Sequence, residues 1–272
     1  MATILDRIVE HKKLEVDRRK GITSLEQLMD TEAYDHPRRS FCKAIENSEY
    51  FGIITEFKRK SPSQDDINLA ADPAAIAKGY VNAGAAAISC LTDTNFFGAK
   101  PSDIDLVRKA VNAPVLRKDF IVSSYQIHEA RAMGADAILL IASCLTAERL
   151  DRLANIAGEL GLQVLCEVHD EEDIAKISPD VDMVGVNNRN LNDFSVSIET
   201  SLRLLDYLPP GIMRISESGL DDPQSVVKLM HAGYDGFLIG THFMRQPDPG
   251  AAAADFIRRV AEINDLYDGA IA

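Results

Sequence analysis

Past residue 48 the chain settles into one rhythm, in which short apolar runs alternate with amphipathic stretches long enough for helices. Eight runs can be counted, at 51–57, 86–91, 114–116, 137–142, 164–168, 183–186, 212–215 and 236–239; they recur roughly every 20 to 35 residues, the length of a βα unit. Three approaches to a run share a pattern of small residues: Asn82-Ala83-Gly84-Ala85-Ala86, Ala132-Met133-Gly134-Ala135-Asp136 and His231-Ala232-Gly233-Tyr234-Asp235. In each, the Gly can end a helix in a left-handed cap just before the strand begins. Residues 1–48 read differently. Ile4, Ile8, Leu14 and Val16 stand among many charges in a helical pattern, and Ser24-Leu25-Glu26-Gln27 resembles a capping box opening a second helix. The pattern predicts one domain over 1–272, an eight-stranded parallel β/α (TIM) barrel with an N-terminal helical extension over 1–48. A doubly wound open sheet also fits the periodicity.

The ends of the runs favour the barrel. They terminate on Glu56 and Lys58, Thr92 and Asp93, Lys118, Ser143, Glu167 and His169, Asn187 and Arg189, Ser216 through Ser218, and Gly240 and Thr241. Closure would bring these polar tips to one mouth, because barrel enzymes carry their chemistry at the C-terminal ends of the strands. The sharpest transition is Val115-Leu116-Arg117-Lys118-Asp119-Phe120. Burial would lower the pKa of a Lys at an interior strand tip toward the range of proton transfer, and a nearby carboxylate would keep it charged. A Lys118–Asp119 pair that merely closes the strand is the plainer alternative. On the first run, side-chain alternation points Glu56 and Lys58 one way and Phe57 the other. Glu56 can accept a proton and Lys58 can hold an anionic group, unless both belong to a solvated basic loop.

Composition narrows the classes. With 46% hydrophobic and 26% charged residues and no apolar run long enough to span a bilayer, the chain reads as an ordinary globular protein without membrane partners. The first 20 residues lack the apolar core of a signal peptide, so a cytoplasmic location is expected. A net charge of −13 argues against a nucleic-acid surface, though not against one basic pocket for a phosphorylated small molecule. Cys42, Cys90, Cys144 and Cys166 have no paired short spacing and suggest neither zinc nor disulfides.

Two later regions add candidate chemistry. Glu167-Val168-His169 follows Val164-Leu165-Cys166, and a carboxyl at the end of such an apolar run suits acid or base work near neutral pH. A metal pair is the competing idea, but no third ligand stands in an obvious arrangement, and His169 reads as a packed or hydrogen-bonded histidine. Ser216-Glu217-Ser218-Gly219 and Gly240-Thr241-His242 follow the seventh and eighth runs, where barrels often bind phosphate through backbone N–H groups and a hydroxyl. Arg189 can add a bidentate contact. Asn187-Asn188-Arg189-Asn190-Leu191 can bond a substrate hydroxyl or simply make Asx turns. No Walker loop, dinucleotide fingerprint or nucleophile elbow occurs.

Taken together, these segments resemble indole-3-glycerol phosphate synthases over nearly the whole chain. The resemblance is carried by Ile4-Leu5-Asp6-Arg7-Ile8, Glu56-Phe57-Lys58-Arg59-Lys60-Ser61-Pro62-Ser63, Leu91-Thr92-Asp93, Leu116-Arg117-Lys118-Asp119-Phe120 and Glu167-Val168-His169. It continues through Asn187-Asn188-Arg189-Asn190-Leu191, Ser216-Glu217-Ser218-Gly219, Met244-Arg245 and Asp248-Pro249-Gly250-Ala251. It implies ring closure of 1-(2-carboxyphenylamino)-1-deoxyribulose 5-phosphate, a small sugar phosphate, with loss of carbon dioxide and water, and it implies no cofactor and no metal. A monomer is expected, with a homodimer as the alternative. Lys118 would be the general acid of closure and Glu167 would assist dehydration. Lys58 would hold the anthranilate carboxylate, aided by Glu56, Asn187 and Glu217. Ser61, Arg189, Ser218, Gly219, Gly240 and Thr241 would surround the phosphate, while Phe97 and Phe120 would wall the aromatic ring. The chain departs from the family pattern where Gln64-Asp65 replaces the usual Lys-Gly and where Gly98-Ala99-Lys100 replaces an amide-Gly-Ser, so altered loop closure and altered polar contacts at the mouth are expected. A phosphoribosyl isomerase-like barrel and a non-catalytic ligand-binding paralogue are the competing functions.

Overall fold

The computed structural model describes residues 3–191 and 193–271; Met1 and Ala2, the first two residues of the expected extension, lie outside the described residues, as do Asn192 and Ala272. Its eight strands are β1 (Ile53–Phe57), β2 (Ala87–Leu91), β3 (Val115–Lys118), β4 (Ala137–Ile141), β5 (Gln163–Val168), β6 (Met183–Asn187), β7 (Met213–Glu217) and β8 (Gly236–Ile239). They pair in parallel and in sequence order, and β8 returns to β1 to close the barrel. The open-sheet alternative is thereby removed. At their C-terminal ends three strands run further than the apolar runs: β3 continues to Lys118, β6 to Asn187 and β7 to Glu217. Ladder bonding depends on the backbone, so a strand continues past its last apolar residue while its side chains turn polar at the mouth.

Two apolar layers follow from the alternation. Residues pointing inward, among them Ile54, Leu116, Leu139, Leu165, Met183, Ile215 and Leu238, fill the barrel interior with Phe41 and Ile45. Residues pointing outward, such as Phe57, Ile88, Val115, Ile138, Val164, Val184 and Phe237, pack under the surrounding helices. The interior is therefore a packed core, and only its upper rim is available for chemistry.

The extension touches both ends of the barrel. Its first helix, Ile4–Ile22, starts on a capping box from Thr3, and a second box at Ser24 opens helix Leu25–Met29 as expected. Ile4, Leu5 and Ile8 reach the mouth, whereas the short helix Phe41–Glu46 plugs the bottom through Phe41 and Ile45. The buried face of the first helix is Ile8, Lys12, Glu15 and Val16, and Leu14 is 68% exposed. Leu14 thus does not belong to the stripe that the apolar count placed it in; it is out of phase with Ile8 and Val16.

Candidate active site

Period-two alternation brings the charged tips of β1, β3, β5 and β7 to a single point. Lys118 Nζ lies 3.1 Å from Glu217 Oε2, 3.6 Å from Glu56 Oε2 and 3.6 Å from Glu167 Oε2. Lys58 Nζ donates to the other oxygen of Glu56 at 2.6 Å, so Glu56 is shared between two lysines. Asn187 Nδ2 donates to Glu167 Oε1 at 2.9 Å, and its Oδ1 accepts from the backbone N–H of Arg189. Two strand tips are thereby fixed by one amide.

Two glycines make room for this cluster. A Cβ on Gly185 would lie 2.0 Å from Glu217 Oε1, and one on Gly240 would lie 2.5 Å from Glu56 Oε1. The site therefore depends on residues whose contribution is the absence of a side chain. Gly185 was invisible in the sequence, sitting inside the apolar run of β6 with no turn around it.

The charges reset one another. Burial alone would lower the Lys118 ammonium, but the carboxylates of Glu217, Glu56 and Glu167 overcome it and hold the pKa above its ordinary value. Of the two opposing effects expected at Lys118, the carboxylates prevail, because three of them outweigh desolvation. Burial, reinforced by the Glu167 carboxylate and opposed by Lys118, lifts Glu217 to about 7. Glu56 moves the other way: despite its burial, Lys58 and Lys118 hold it below the usual carboxylate range.

Asp119 takes no part in this cluster. It turns outward with Arg117, forms an ion pair with Lys12 Nζ at 2.9 Å, accepts from Arg117 Nη2 at 3.1 Å and from Thr92 Oγ1 at 2.7 Å, and is buried. Although burial opposes it, Lys12 and Arg117 push the Asp119 carboxyl far below its usual range. Lys12 also binds Asp93 at 2.7 Å and Glu15 at 2.9 Å and is itself pushed up to about 12 by the two aspartates against its own desolvation. The Lys118–Asp119 pair is therefore absent: the neighbours in sequence belong to opposite faces of β3.

The cluster opens into a cavity of about 270 Å³. All of the sequence-predicted site residues line it except Glu217, which is buried beneath and reaches it through Lys118. Phe97 and Phe120 face each other with ring centroids 6.0 Å apart. Ser61, Arg189, Ser218, Gly219, Gly240 and Thr241 also line it, with Ser218 at a φ of 68° and Gly219 at 71° turning the chain sharply off β7. Arg245, also in the wall, had no assigned place. Its Nε donates to Gln64 Oε1 at 3.0 Å, so the first loop departure ties the segment after β1 to the one after β8. At the second departure Gly98 adopts a φ of 70° and Lys60 N–H donates to Phe97 O at 3.3 Å, which docks the two departing loops on each other. Ile4 and Ile8, which the sequence showed only as part of a helical stripe, complete an apolar side together with Leu5.

His169 is engaged by Ser143 and Asp173, in keeping with a hydrogen-bonded histidine. Among the described residues no group of three or more His, Cys, Asp or Glu is arranged to hold a metal ion, and no helix is long and apolar enough to cross a membrane.

A closed parallel barrel with paired lysines and three carboxylates at its mouth, beside an aromatic wall and an arginine- and hydroxyl-lined pocket, defines an acid–base barrel enzyme for a small anionic aromatic substrate. The family model for indole-3-glycerol phosphate synthase matches residues 5–256. An indole-3-glycerol phosphate synthase of Bacteroides thetaiotaomicron is 44% identical over 260 residues, covering 96% of this chain and all of that protein. One from Magnetococcus marinus is 43% identical, covering 94% of this chain and 98% of that protein. In fold alone, thiamine phosphate pyrophosphorylase from Pyrococcus furiosus superposes with a TM-score of 0.57 at 16% identity, over 80% of this chain and 98% of that one. The chain belongs to the indole-3-glycerol phosphate synthase family. It is a carboxy-lyase of tryptophan biosynthesis, converting 1-(2-carboxyphenylamino)-1-deoxyribulose 5-phosphate to indole-3-glycerol phosphate with loss of carbon dioxide and water.

Proposed function

We propose that Lys118 is the general acid of ring closure and that Glu167 protonates the hydroxyl that leaves afterwards. The observation that carries this reading is the placement of the Lys118 ammonium among carboxylates from three other strands. Those carboxylates keep the donor loaded through the neutral range. As the ring carbon attacks the ketone, the oxygen becomes far more basic than the carbonyl it came from and takes the proton in a part-dry site. The carbon–carbon bond to the carboxylate then breaks and its electrons restore the aromatic ring as carbon dioxide departs. Glu167, oriented by Asn187, gives its proton to the hydroxyl, which leaves as water. The methylene beside nitrogen loses a proton to the neutral Lys118 amine.

Binding divides along the same geometry. Lys58, held by Glu56, takes the substrate carboxylate, and Glu217 positions Lys118. Phe97 and Phe120 cover the aromatic ring. Ser61, Arg189, Ser218, Gly219, Gly240 and Thr241 surround the phosphate. The four cysteines are free, which supports a reducing cytoplasm.

The test is to add the carboxyphenylamino deoxyribulose phosphate and follow indole fluorescence with carbon dioxide release. Lys118→Met, which keeps most of the stem but removes the proton, should abolish both signals while ligand binding and the melting transition persist. Near-parental turnover in that variant would remove Lys118 from the role. Tight binding with no turnover in the parent protein would favour the ligand-binding paralogue.

A further inference from the structure

The reaction consumes a proton. The substrate enters as a carboxylate and leaves carbon dioxide and water, so the balance is anionic substrate plus one proton to product, carbon dioxide and water. Within the proposed sequence two protons are given, by Lys118 to the ketone oxygen and by Glu167 to the hydroxyl, and one returns from the methylene to Lys118. Glu167, a carboxylate beside Lys118 at rest, must first be given the proton that it passes to the hydroxyl.

Beside Glu167, and outside the set of residues that line the cavity, stands His169. Its Nε2 lies 3.4 Å from Glu167 Oε1 and, although buried, has no hydrogen-bond partner. Its Nδ1 lies 3.1 Å from Ser143 Oγ and 3.5 Å from Asp173 Oδ2. Asp173 is anchored in turn by Ser143, by the His169 backbone N–H at 3.2 Å and by Lys176 Nζ at 3.0 Å. The charged groups acting on the ring are thus Glu167 from β5, Glu217 from β7, and Asp173, itself neutralised in part by Lys176. Burial disfavours the imidazolium, but the Asp173 bond and the Glu167 carboxylate outweigh it and hold the ring above the ordinary histidine value.

We propose that His169 is the proton reservoir of the site, a residue that never touches substrate and acts through Glu167 by handing to it the proton that the leaving hydroxyl takes. The inference rests on the reading of Glu167 as that donor. The Nε2–H bond breaks as a proton passes to Glu167 Oε1, leaving a neutral ring whose remaining Nδ1–H faces Asp173 and Ser143. When product leaves, water in the emptied mouth returns one proton through Glu167 to Nε2, and Glu167 is again a carboxylate. The cycle closes with one solvent proton used.

Three measurements test this. His169→Asn should lower kcat about tenfold near pH 8 with KM within about twofold, and the deficit should shrink toward pH 6 as solvent protonates Glu167 directly. A kcat equal to the parent's across that range, or a loss of the same size at every pH, would overturn the proposal, the second because a merely structural defect does not follow protonation. For the unsubstituted protein, nitrogen NMR of labelled histidine should show His169 protonated on both ring nitrogens at neutral pH, with the Nε2 signal moving in Glu167→Gln; a neutral ring would overturn the proposal without any His169 variant having to fold. Glu167→Gln separates the two layers. If its turnover is intact, the reading of Glu167 fails; if it is inactive while His169→Asn matches the parent, only the reservoir fails.

Discussion

Replacing Gly185 by Ala adds one methyl group in the floor of the site, and the structure says where the strain must go. The new Cβ would stand 2.0 Å from Glu217 Oε1 and 3.1 Å from its Cδ, with Leu165 Cδ1 at 3.2 Å on the other side. Since ordinary contact begins near 3.4 Å, the carboxylate must retreat by more than 1 Å, and it is held to Lys118 by a bond of 3.1 Å. A shift of that size takes the pair out of hydrogen-bond range. A buried hydrogen bond between charged partners contributes about 1.5–3 kcal/mol. If that contribution orients the acid in the transition state, kcat should fall roughly 10- to 150-fold. The assay is steady-state turnover by indole fluorescence, with thermal melting to confirm the fold. The same substitution made in a Glu217→Ala background meets no carboxylate there, so it should change kcat by less than about twofold. Parental turnover in Gly185→Ala, or an equal loss in both backgrounds, would show that Glu217 does not position Lys118 through this contact.

The other expectations concern the anchor and the phosphate. Lys12→Met leaves Asp93, Asp119 and Glu15 buried without their shared cation and should lower the unfolding free energy by about 3–5 kcal/mol in urea at neutral pH. In the parent, the depressed Asp119 stabilises the fold above its unfolded pKa near 3.9, and that contribution is lost as pH falls through the folded value. Without Lys12 the folded pKa rises, so the gap between parent and variant should narrow as pH falls toward about 4; a gap independent of pH would count against the buried charges as its cause. Arg189→Ala should raise KM more than it lowers kcat, because a phosphate contact far from the reacting bonds is made equally in ground and transition states. An unchanged KM would take Arg189 out of the phosphate site.

The barrel and most of the site were legible because both are written in short periods. Alternation by two places Glu56 with Lys58 and separates Lys118 from Asp119, and recurrence of the βα unit gives the strand count. What escaped depends on longer phase or on what is absent. Lys12 stands beside Lys13 in a charged segment, and only its spacing of four from both Ile8 and Val16 marks it as inward; Leu14, the apolar neighbour, is the exposed one. Gly185 is required by a side chain 32 positions later, at Glu217 on the next strand, a dependence that appears only once the register sets Asn187 against Glu217. At Lys118 both opposing effects, burial and a nearby carboxylate, could be named from the sequence, but their balance could not, because barrel closure supplies three carboxylates.

Arg117, Lys118 and Asp119 are three charges in a row whose separation explains how the site can be both highly charged and stably folded. Were they on one face, Asp119 would compensate Lys118 locally and the carboxylates of β1, β5 and β7 would have a weaker claim on it. The strand pleat sends Arg117 and Asp119 outward, where they join Lys12 and Glu129 in a buried network that fastens the N-terminal helix to the barrel. Lys118 alone turns inward. Each network can therefore satisfy its own charges: the outer one couples the extension to the end of β3, and the inner one leaves an ammonium whose partners are all candidate acid–base groups. The outer network bears on catalysis through position rather than field, because Ile4, Leu5 and Ile8 ride on the helix that Lys12 secures and form one side of the cavity over Lys118.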